Sequence, residues 1–98
     1  MSEKPYIIAE IASAHEGKIS ILRKLIGQVI NSNADAIKFQ IFNRDYLISK
    51  NNSLYDEFGK IEFSQEEWKE ILSEVSKLSI DIIIEAYDIE SIKLLENI

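Results

Sequence analysis

The sequence predicts a parallel α/β fold in which strands and helices alternate in the order β-α-β-α-β-α. Three apolar segments rich in β-branched residues lie at residues 6–12, 36–41 and 80–86, and amphipathic segments follow them. Nearly continuous apolar strands that alternate with helices are typical of a parallel sheet with both faces covered. Each crossover between two such strands is expected to be right-handed.

The composition is that of one ordinary globular domain. The chain has 98 residues, of which 46% are hydrophobic, so one domain at most is expected. Its net charge of -6 argues against nucleic acid and anionic membrane surfaces as partners. It has no cysteine, which excludes disulfides and thiolate metal sites. The polar start and the lack of a membrane-length apolar run predict a cytoplasmic protein without a signal peptide.

The first predicted strand spans residues 6–12 and carries one acid, Glu10, near its end. A short loop follows, and it contains His15, the one histidine of the chain. A histidine in such a loop can be a general base, a phosphate donor or a metal ligand, although a solvated side chain is the commoner case. No second histidine completes a metal pair, so we predict no metal site built by this chain alone.

The first helix is predicted over residues 21–30, because apolar residues recur there at helical spacing. Ser20 is its predicted N-cap. Asn33 is predicted to end the helix in the left-handed conformation. The second strand, residues 36–41, comes next.

Residues 42–63 form a long, mixed and polar segment, and such segments in compact domains are usually functional or mobile. A short helical turn is predicted within it at residues 44–49. Ser64 and Glu67 then form a capping box, which predicts the start of a second long helix. The inward face of that helix is predicted to contain Trp68, Ile71, Leu72, Val75 and Leu78.

The third strand, residues 80–86, is again apolar and carries an acid, Glu85, near its end. Asp88 is the predicted N-cap of a last helix over residues 89–97. The side chains of this helix that are predicted to face inward are Ile92 and Leu95.

The candidate site combines polar side chains from three consecutive strands: Glu10, Lys38, Gln40 and Glu85. Neighbouring strands lie about 5 Å apart, so these side chains can converge at the carboxyl edge, where parallel α/β folds bind ligands. A lysine set into an apolar strand needs a paired anion or becomes a neutral amine. Lys38 is therefore a candidate anion clamp or Schiff-base amine. Two plainer alternatives are a lysine that reaches water at a strand end and an ion-pair cluster that closes the sheet.

Five segments in one register resemble the N-acetylneuraminate (sialic acid) synthase family. They are Tyr6-Ile-Ile-Ala-Glu-Ile11, His15-x-Gly17, Ala34-Asp-Ala-Ile-Lys-Phe-Gln40, Phe63-Ser64 before a tryptophan-containing helix, and Tyr87-Asp-Ile-Glu-Ser-Ile92. The likeness extends over nearly the whole chain, and its most specific part is residues 34–40.

This resemblance implies a fold and a reaction. Members of the family are (β/α)8 TIM barrels, usually with a small antifreeze-like domain at the C-terminus. Such a barrel needs about 250 residues, so residues 1–98 are expected to be its first three βα units, the N-terminal part of a truncated synthase domain. The family condenses phosphoenolpyruvate with an N-acylated aminosugar such as N-acetylmannosamine and releases phosphate.

The resemblance also implies roles for the candidate residues. Lys38 would bind the phosphoenolpyruvate anion, Glu10 would contact phosphoenolpyruvate or the reacting end of the sugar, and Gln40 would contact the sugar. Glu10 and Lys38 are the candidate catalytic residues, and His15 and Glu85 complete the candidate substrate-binding set. The family's divalent metal, manganese or magnesium, is expected in a full-length parent and not in this chain alone, because its ligands come from later strands.

The sequence departs from the family at two motifs. The first loop usually reads Asn-His-x-Gly, whereas Ala14 precedes the histidine here. The third strand usually ends Ser-Thr-Pro-Phe-Asp, whereas this chain has Ile84-Glu-Ala-Tyr-Asp88. A glutamate at this point would repel a phosphate or carboxylate unless it is paired, and Lys38 is the available partner.

Three hypotheses remain open at this point. The first is an inactive N-terminal fragment of a nonulosonic acid synthase. The second is a fragment of an aldolase-type barrel in which Lys38 forms a Schiff base, and borohydride trapping would identify it. The third is a non-catalytic α/β domain that binds a protein partner through its open sheet edge. Open strand edges and apolar patches also lead us to expect a homo-oligomer.

Overall fold

Three parallel strands form one sheet, with helices between them. The structure is a computed structural model that describes residues 3–96. In chain order its elements are β1 (Ile8–Glu10), α1 (Ile19–Asn31), β2 (Ala36–Ile41), α2 (Arg44–Leu47), α3 (Tyr55–Ile61), α4 (Gln65–Ser76), β3 (Asp81–Ala86) and α5 (Ile89–Glu96). The predicted alternation is confirmed, with two short helices added between β2 and α4.

The strand order is β1-β2-β3, which places β2 at the centre of the sheet. Glu10 of β1 is opposite Lys38 of β2, and Gln40 of β2 is opposite Glu85 of β3. Paired residues of neighbouring strands point to the same side of a sheet, and residues two apart in one strand do so as well. These four side chains therefore share one face at the carboxyl end of the sheet.

The hydrophobic core lies on the other face of the sheet, under α1, α4 and α5. Phe39 of β2 is fully buried and meets Trp68 of α4 edge to face, with ring centroids 5.8 Å apart. The predicted inward face of α4 is confirmed at four of its five positions. The prediction for the fifth, Leu78, is wrong, because this residue lies beyond the end of the helix and is exposed. The buried core residues are Ile11, Leu22, Ile26, Ile37, Phe39, Ile41, Phe63, Trp68, Ile71, Leu72, Val75 and Leu94.

All three strands were predicted to be buried on both sheet faces. The prediction agrees best with β2, in which four of six residues are buried and the other two are half-buried. The first strand is shorter than residues 6–12, and Tyr6, Ile7 and Ile8 are each about half exposed. Within residues 3–96 the one strand next to β1 is β2, so no strand pairs with the other edge of β1 there. The third strand begins at Asp81, one residue later than predicted, and none of its residues is fully buried: Asp81 and Glu85 are exposed and the other four are half-buried.

The start of α1 differs from the prediction, and its end agrees with it. The N-cap is Lys18, which makes no side-chain capping bond, and Ser20 already lies in the first turn. The chain enters the helix through a tight turn in which the Lys18 N–H donates to the His15 carbonyl at 3.0 Å, and this turn sets the first helical residue. Asn33 has φ 62°, which confirms the left-handed ending.

Both other predicted helix caps are confirmed. The Ser64 hydroxyl accepts from the Glu67 N–H at 3.1 Å, and the Glu67 carboxylate accepts from the Ser64 N–H at 2.9 Å. At α5 the Asp88 carboxylate accepts from the Ser91 N–H at 2.7 Å. Its second oxygen accepts from the Asn43 N–H at 2.7 Å, which ties the N-cap of α5 to the segment that follows β2.

The inward face of α5 is shifted from the prediction. Ile92 is half exposed, and the side chains that face the core are Ser91, Leu94 and Leu95. This stripe has the three- and four-residue spacing of a helix face, and Ile92 lies on its outer side. The predicted last residue of this helix, Asn97, lies outside the described residues.

The long segment between β2 and α4 contains two short helices separated by turns. Helix α2 confirms the predicted turn, whereas α3 was not predicted. Arg44 contacts both helices' surroundings: its guanidinium lies 4.1 Å from the centroid of the Tyr55 ring, and its backbone N–H donates to the Glu62 carboxylate at 3.0 Å. The Phe42 and Phe58 rings meet edge to face at 5.8 Å. These contacts fold the segment back over the carboxyl end of β2.

Candidate functional site

The predicted convergence of three charged side chains is confirmed. Lys38 Nζ lies 3.2 Å from Glu10 Oε1 and 3.6 Å from Glu85 Oε1. The Lys38 side chain is 29% exposed, so its ammonium also reaches solvent at the strand end. The two plainer alternatives, a solvent-reaching lysine and an ion-pair cluster, therefore describe the geometry correctly as well, and the catalytic roles of Glu10 and Lys38 stay predictions.

Two neutral donors complete this group of side chains. The Gln40 side-chain N–H donates to Glu85 Oε1 at 3.5 Å. The Tyr87 hydroxyl donates to the same oxygen at 3.0 Å. We call Glu10, Lys38, Gln40, Glu85 and Tyr87 the strand-end cluster. Tyr87 was not among the predicted site residues, although its place two residues after Glu85 puts it at the same sheet edge.

The electrostatics of the cluster keep Lys38 protonated. The hydrogen bond to Glu10, followed by the charges of Glu10 and Glu85, raises the pKa of Lys38 above its ordinary value. A Schiff base requires a neutral amine as the nucleophile. The environment therefore favours the anion-clamp hypothesis for Lys38 over the aldolase-type hypothesis. Partial desolvation and the bond to Glu85 also raise the pKa of Tyr87, so its hydroxyl remains a donor.

His15 is buried, although a loop histidine was expected to be solvated more often than not. Its side chain is 2% exposed, and its ring packs against Phe63 at a centroid distance of 4.5 Å. Its Nδ1 atom accepts from the Gly17 N–H at 2.9 Å. Burial lowers the pKa of His15, so the ring is favoured in its neutral form. These contacts make His15 a support of the first loop, and its substrate-binding role stays a prediction.

A cavity of about 450 Å³ adjoins the strand-end cluster and shares Gln40 and Tyr87 with it. The first loop supplies part of its wall, and the α2–α3 segment supplies an apolar part. The family resemblance implied that the segment after β2 would help cover the sugar, but helix α3 within this wall was not predicted, because residues 42–63 were interpreted as a mixed polar segment. The sequence feature that could have revealed this helix is the helical spacing of apolar residues within that segment. The lining residues are Ala12, Ser13, His15, Gln40, Phe42, Leu47, Ile48, Phe58, Ile61 and Tyr87.

The described residues do not form a complete metal site. Within residues 3–96 no three histidine, aspartate or glutamate side chains come together in an arrangement that can hold a metal ion. Glu10 and Glu85, the carboxylates of the cluster, both contact the Lys38 ammonium instead. None of the described helices is long and apolar enough to cross a bilayer, and the cytoplasmic location stays a prediction.

Comparison with solved structures supports the barrel fold. A sialic acid synthetase from Leptospira borgpetersenii, solved in complex with citrate, matches with a TM-score of 0.82 at 24% identity, over 94% of this chain and 32% of that one. A spore coat polysaccharide biosynthesis protein from Bacillus subtilis matches with a TM-score of 0.67 at 28% identity, over 94% of this chain and 26% of that one. The three βα units correspond to part of the synthetase barrel, as predicted.

Sequence relatives agree with this result. An uncharacterized protein of Methanocaldococcus jannaschii is 34% identical over 97% of this chain and 28% of its own length. An N,N'-diacetyllegionaminic acid synthase of Campylobacter jejuni is 28% identical over 98% of this chain and 33% of its own length. The chain thus spans about a third of the length of the relatives it matches. The NeuB family model matches residues 25–98, more than half of the sequence, and the chain therefore belongs to the NeuB family.

Proposed function

We propose that the strand-end cluster is part of the substrate site of a nonulosonic acid synthase. The observation that carries this proposal is the meeting of Lys38 with Glu10 and Glu85 at the carboxyl edge of the sheet, in a chain of the NeuB family. In parallel α/β folds this edge is where ligands bind and react. A legionaminic acid synthase among the relatives supports the same class of reaction.

The proposed reaction joins two small molecules. The C3 carbon of phosphoenolpyruvate forms a bond to the carbonyl carbon of an N-acylated aminosugar of the mannosamine type. Water adds at C2 of the phosphoenolpyruvate unit, and phosphate leaves. Both substrates need fixed positions, because one is a polyanion and the other a neutral polyol with a single reactive carbonyl group.

The side chains of the cluster suit these two substrates differently. The Lys38 ammonium is held in its charged form and can bind a carboxylate or phosphate oxygen of phosphoenolpyruvate. The Glu10 carboxylate and the Gln40 amide can accept from and donate to sugar hydroxyls. The apolar wall of the adjoining cavity can cover the sugar and its acyl group and exclude water from them.

The metal of the family would supply Lewis-acid polarisation of the sugar carbonyl. Its ligands are not provided by the residues described here, and the described residues are proposed only to bind and orient the substrates. Catalysis by this chain alone is not expected. A full reaction would require the remaining units of the barrel.

The test is binding by the chain itself. Phosphoenolpyruvate and N-acetylmannosamine are titrated separately into the ¹⁵N-labelled chain, and amide shifts are followed by NMR. We expect shifts concentrated at Glu10, Lys38, Gln40 and Glu85. Lys38→Met should remove the shifts caused by phosphoenolpyruvate, because the ammonium is lost while the unbranched apolar stem of the side chain is kept.

Lys24 provides the matched control, because it is an exposed lysine on α1, outside the cluster. Lys24→Met changes the net charge by the same amount as Lys38→Met, and it should leave the phosphoenolpyruvate shifts unchanged. Equal weakening by both substitutions would show nonspecific charge attraction. That outcome, or shifts that persist in Lys38→Met, would contradict the proposed role of Lys38.

A further inference from the structure

The Glu85 carboxylate occupies the point at which three donors of the strand-end cluster meet. Its Oε1 atom lies 3.0 Å from the Tyr87 hydroxyl, 3.5 Å from Gln40 Nε2 and 3.6 Å from Lys38 Nζ. One ammonium and two neutral donors around a single oxygen are a suitable set for an oxygen of a carboxylate or phosphate ligand. Here the oxygen that they surround belongs to the protein.

We propose that Glu85 is an internal competitor for anionic ligands: its carboxylate holds the position that a carboxylate or phosphate oxygen of the substrate takes. Binding of the substrate then requires the Glu85 side chain to turn away. This inference rests on the proposed function of Lys38 and adds a residue that sets affinity for the anionic substrate.

The geometry indicates which of the two glutamates is displaced. Glu10 is directly opposite Lys38 in the sheet register and lies at the shorter distance of 3.2 Å. Glu85 is opposite Gln40 and reaches Lys38 diagonally at 3.6 Å. The Glu85 side chain is 44% exposed, so water is available to it on release. An exposed ion pair of this kind contributes little, so its displacement is easy.

Charge explains why the Glu85 carboxylate matters for affinity. With both glutamates in place, one ammonium faces two carboxylates, and an entering anion is repelled. Neutralising Glu85 leaves a balanced pair of Lys38 and Glu10 together with the Gln40 and Tyr87 donors. A single like charge near a protein surface at contact distance changes anion affinity on the order of tenfold.

The experiment compares Glu85→Gln and Glu85→Ser with the wild-type chain at low ionic strength. Phosphoenolpyruvate and inorganic phosphate are the probes, and NMR titration gives the dissociation constants. The control is Glu57→Gln, which removes one carboxylate that pairs with a lysine at 3.2 Å outside the cluster. The amide spectrum of each variant shows that it is folded before it is titrated.

We expect both Glu85 variants to bind phosphoenolpyruvate on the order of tenfold more tightly than wild type, with Glu57→Gln unchanged within about twofold. Lys38→Met added to Glu85→Ser should abolish the gain. If wild type binds through Lys38 and the Glu85 variants bind equally well, this inference is wrong and the proposed function stands. If no variant shows Lys38-dependent binding, both are wrong.

Discussion

The backbone of Gly17 lies directly against the carbonyl group of Lys60. A Cβ atom at position 17 would fall 1.8 Å from the Lys60 carbonyl oxygen, and Gly17 has φ +73°. The first loop and the end of α3 are thus in contact at a point that only glycine allows. This contact sets the α2–α3 segment against the loop that carries His15, and both line the cavity beside the strand-end cluster.

Gly17→Ala should destabilise the chain strongly, because it combines a positive φ with a clash against backbone. We expect a loss of about 3 kcal/mol or more in the free energy of unfolding, measured by urea denaturation. Gly27→Ala is the matched control, since a Cβ there meets nothing within 4 Å. Because position 27 lies inside α1, Gly27→Ala should raise the free energy of unfolding by about 0.5–1 kcal/mol. Similar effects of the two substitutions would contradict the close approach.

The pKa of Lys38 should lie above that of an ordinary lysine and should depend on Glu10 more than on Glu85. The bond to Glu10 is the largest cause of the upward shift. Titration of the Lys38 ¹³Cε signal checks this directly. Glu10→Gln should lower the pKa of Lys38 more than Glu85→Gln does. The reverse order would show that Glu85 is the principal partner in solution.

The same shift has a consequence for stability. A raised folded-state pKa means that the contribution of Lys38 is fully present below the unfolded value, near 10.5, and is lost as pH rises through the higher folded value. The difference in unfolding free energy between wild type and Lys38→Met should therefore be constant at neutral pH and shrink in strongly alkaline buffer. A difference that grows with pH would contradict this sign.

His15 should make the chain less stable in mild acid. Burial lowers its folded-state pKa below 6.5, so the unfolded chain takes up the proton first as pH falls. Stability should drop as pH falls from about 6.5 through the folded value. His15→Gln keeps an acceptor near the Gly17 N–H and removes the titration, so its stability curve should be flatter over this range. Parallel curves for the two proteins would show that His15 is accessible to protons when folded.

The capping box of α4 should contribute measurably to stability. Ser64→Ala removes the acceptor for the Glu67 N–H and is expected to cost about 1 kcal/mol. Ser73→Ala, on the exposed face of the same helix, is the control and should have little effect. Thermal melts of the two variants check the comparison. An equal cost for both would show that the Ser64 cap bond itself does not contribute, because alanine has the higher helix propensity and Ser73→Ala should carry no cost through propensity.

We propose that the open edge of β1 promotes self-association of this chain. Tyr6, Ile7 and Ile8 are 55%, 50% and 47% exposed, and these consecutive apolar residues lie at and just before the start of β1, one edge of which pairs with no strand within residues 3–96. Ile8→Lys should shift the sedimentation profile toward monomer, because a charge on an edge strand opposes pairing. Leu54→Lys, at another exposed apolar position, should leave it unchanged. A wild-type monomer with a cooperative melt at micromolar concentration would contradict the proposal.

Much of the fold was predictable because its signals are local. The capping box at Ser64, the left-handed Asn33 and the apolar strands each follow from the preferences of a few adjacent residues. The meeting of Glu10, Lys38 and Glu85 was predictable for a related reason. Parallel strands bring their carboxyl ends to one edge, so residues near three strand ends become neighbours without any knowledge of packing.

Only the tertiary structure decided the features that depend on contacts between distant residues. His15 is buried because Phe63 packs on it, and Gly17 is required because Lys60 approaches it. Neither partner is suggested by the local sequence around the first loop. Exposure of β1 likewise follows from its place at the sheet edge, since its apolar residues alone predict burial. The sequence by itself thus determined the alternation of strands and long helices and the charged cluster, and long-range packing decided the exact element ends and which side chains are buried or left open.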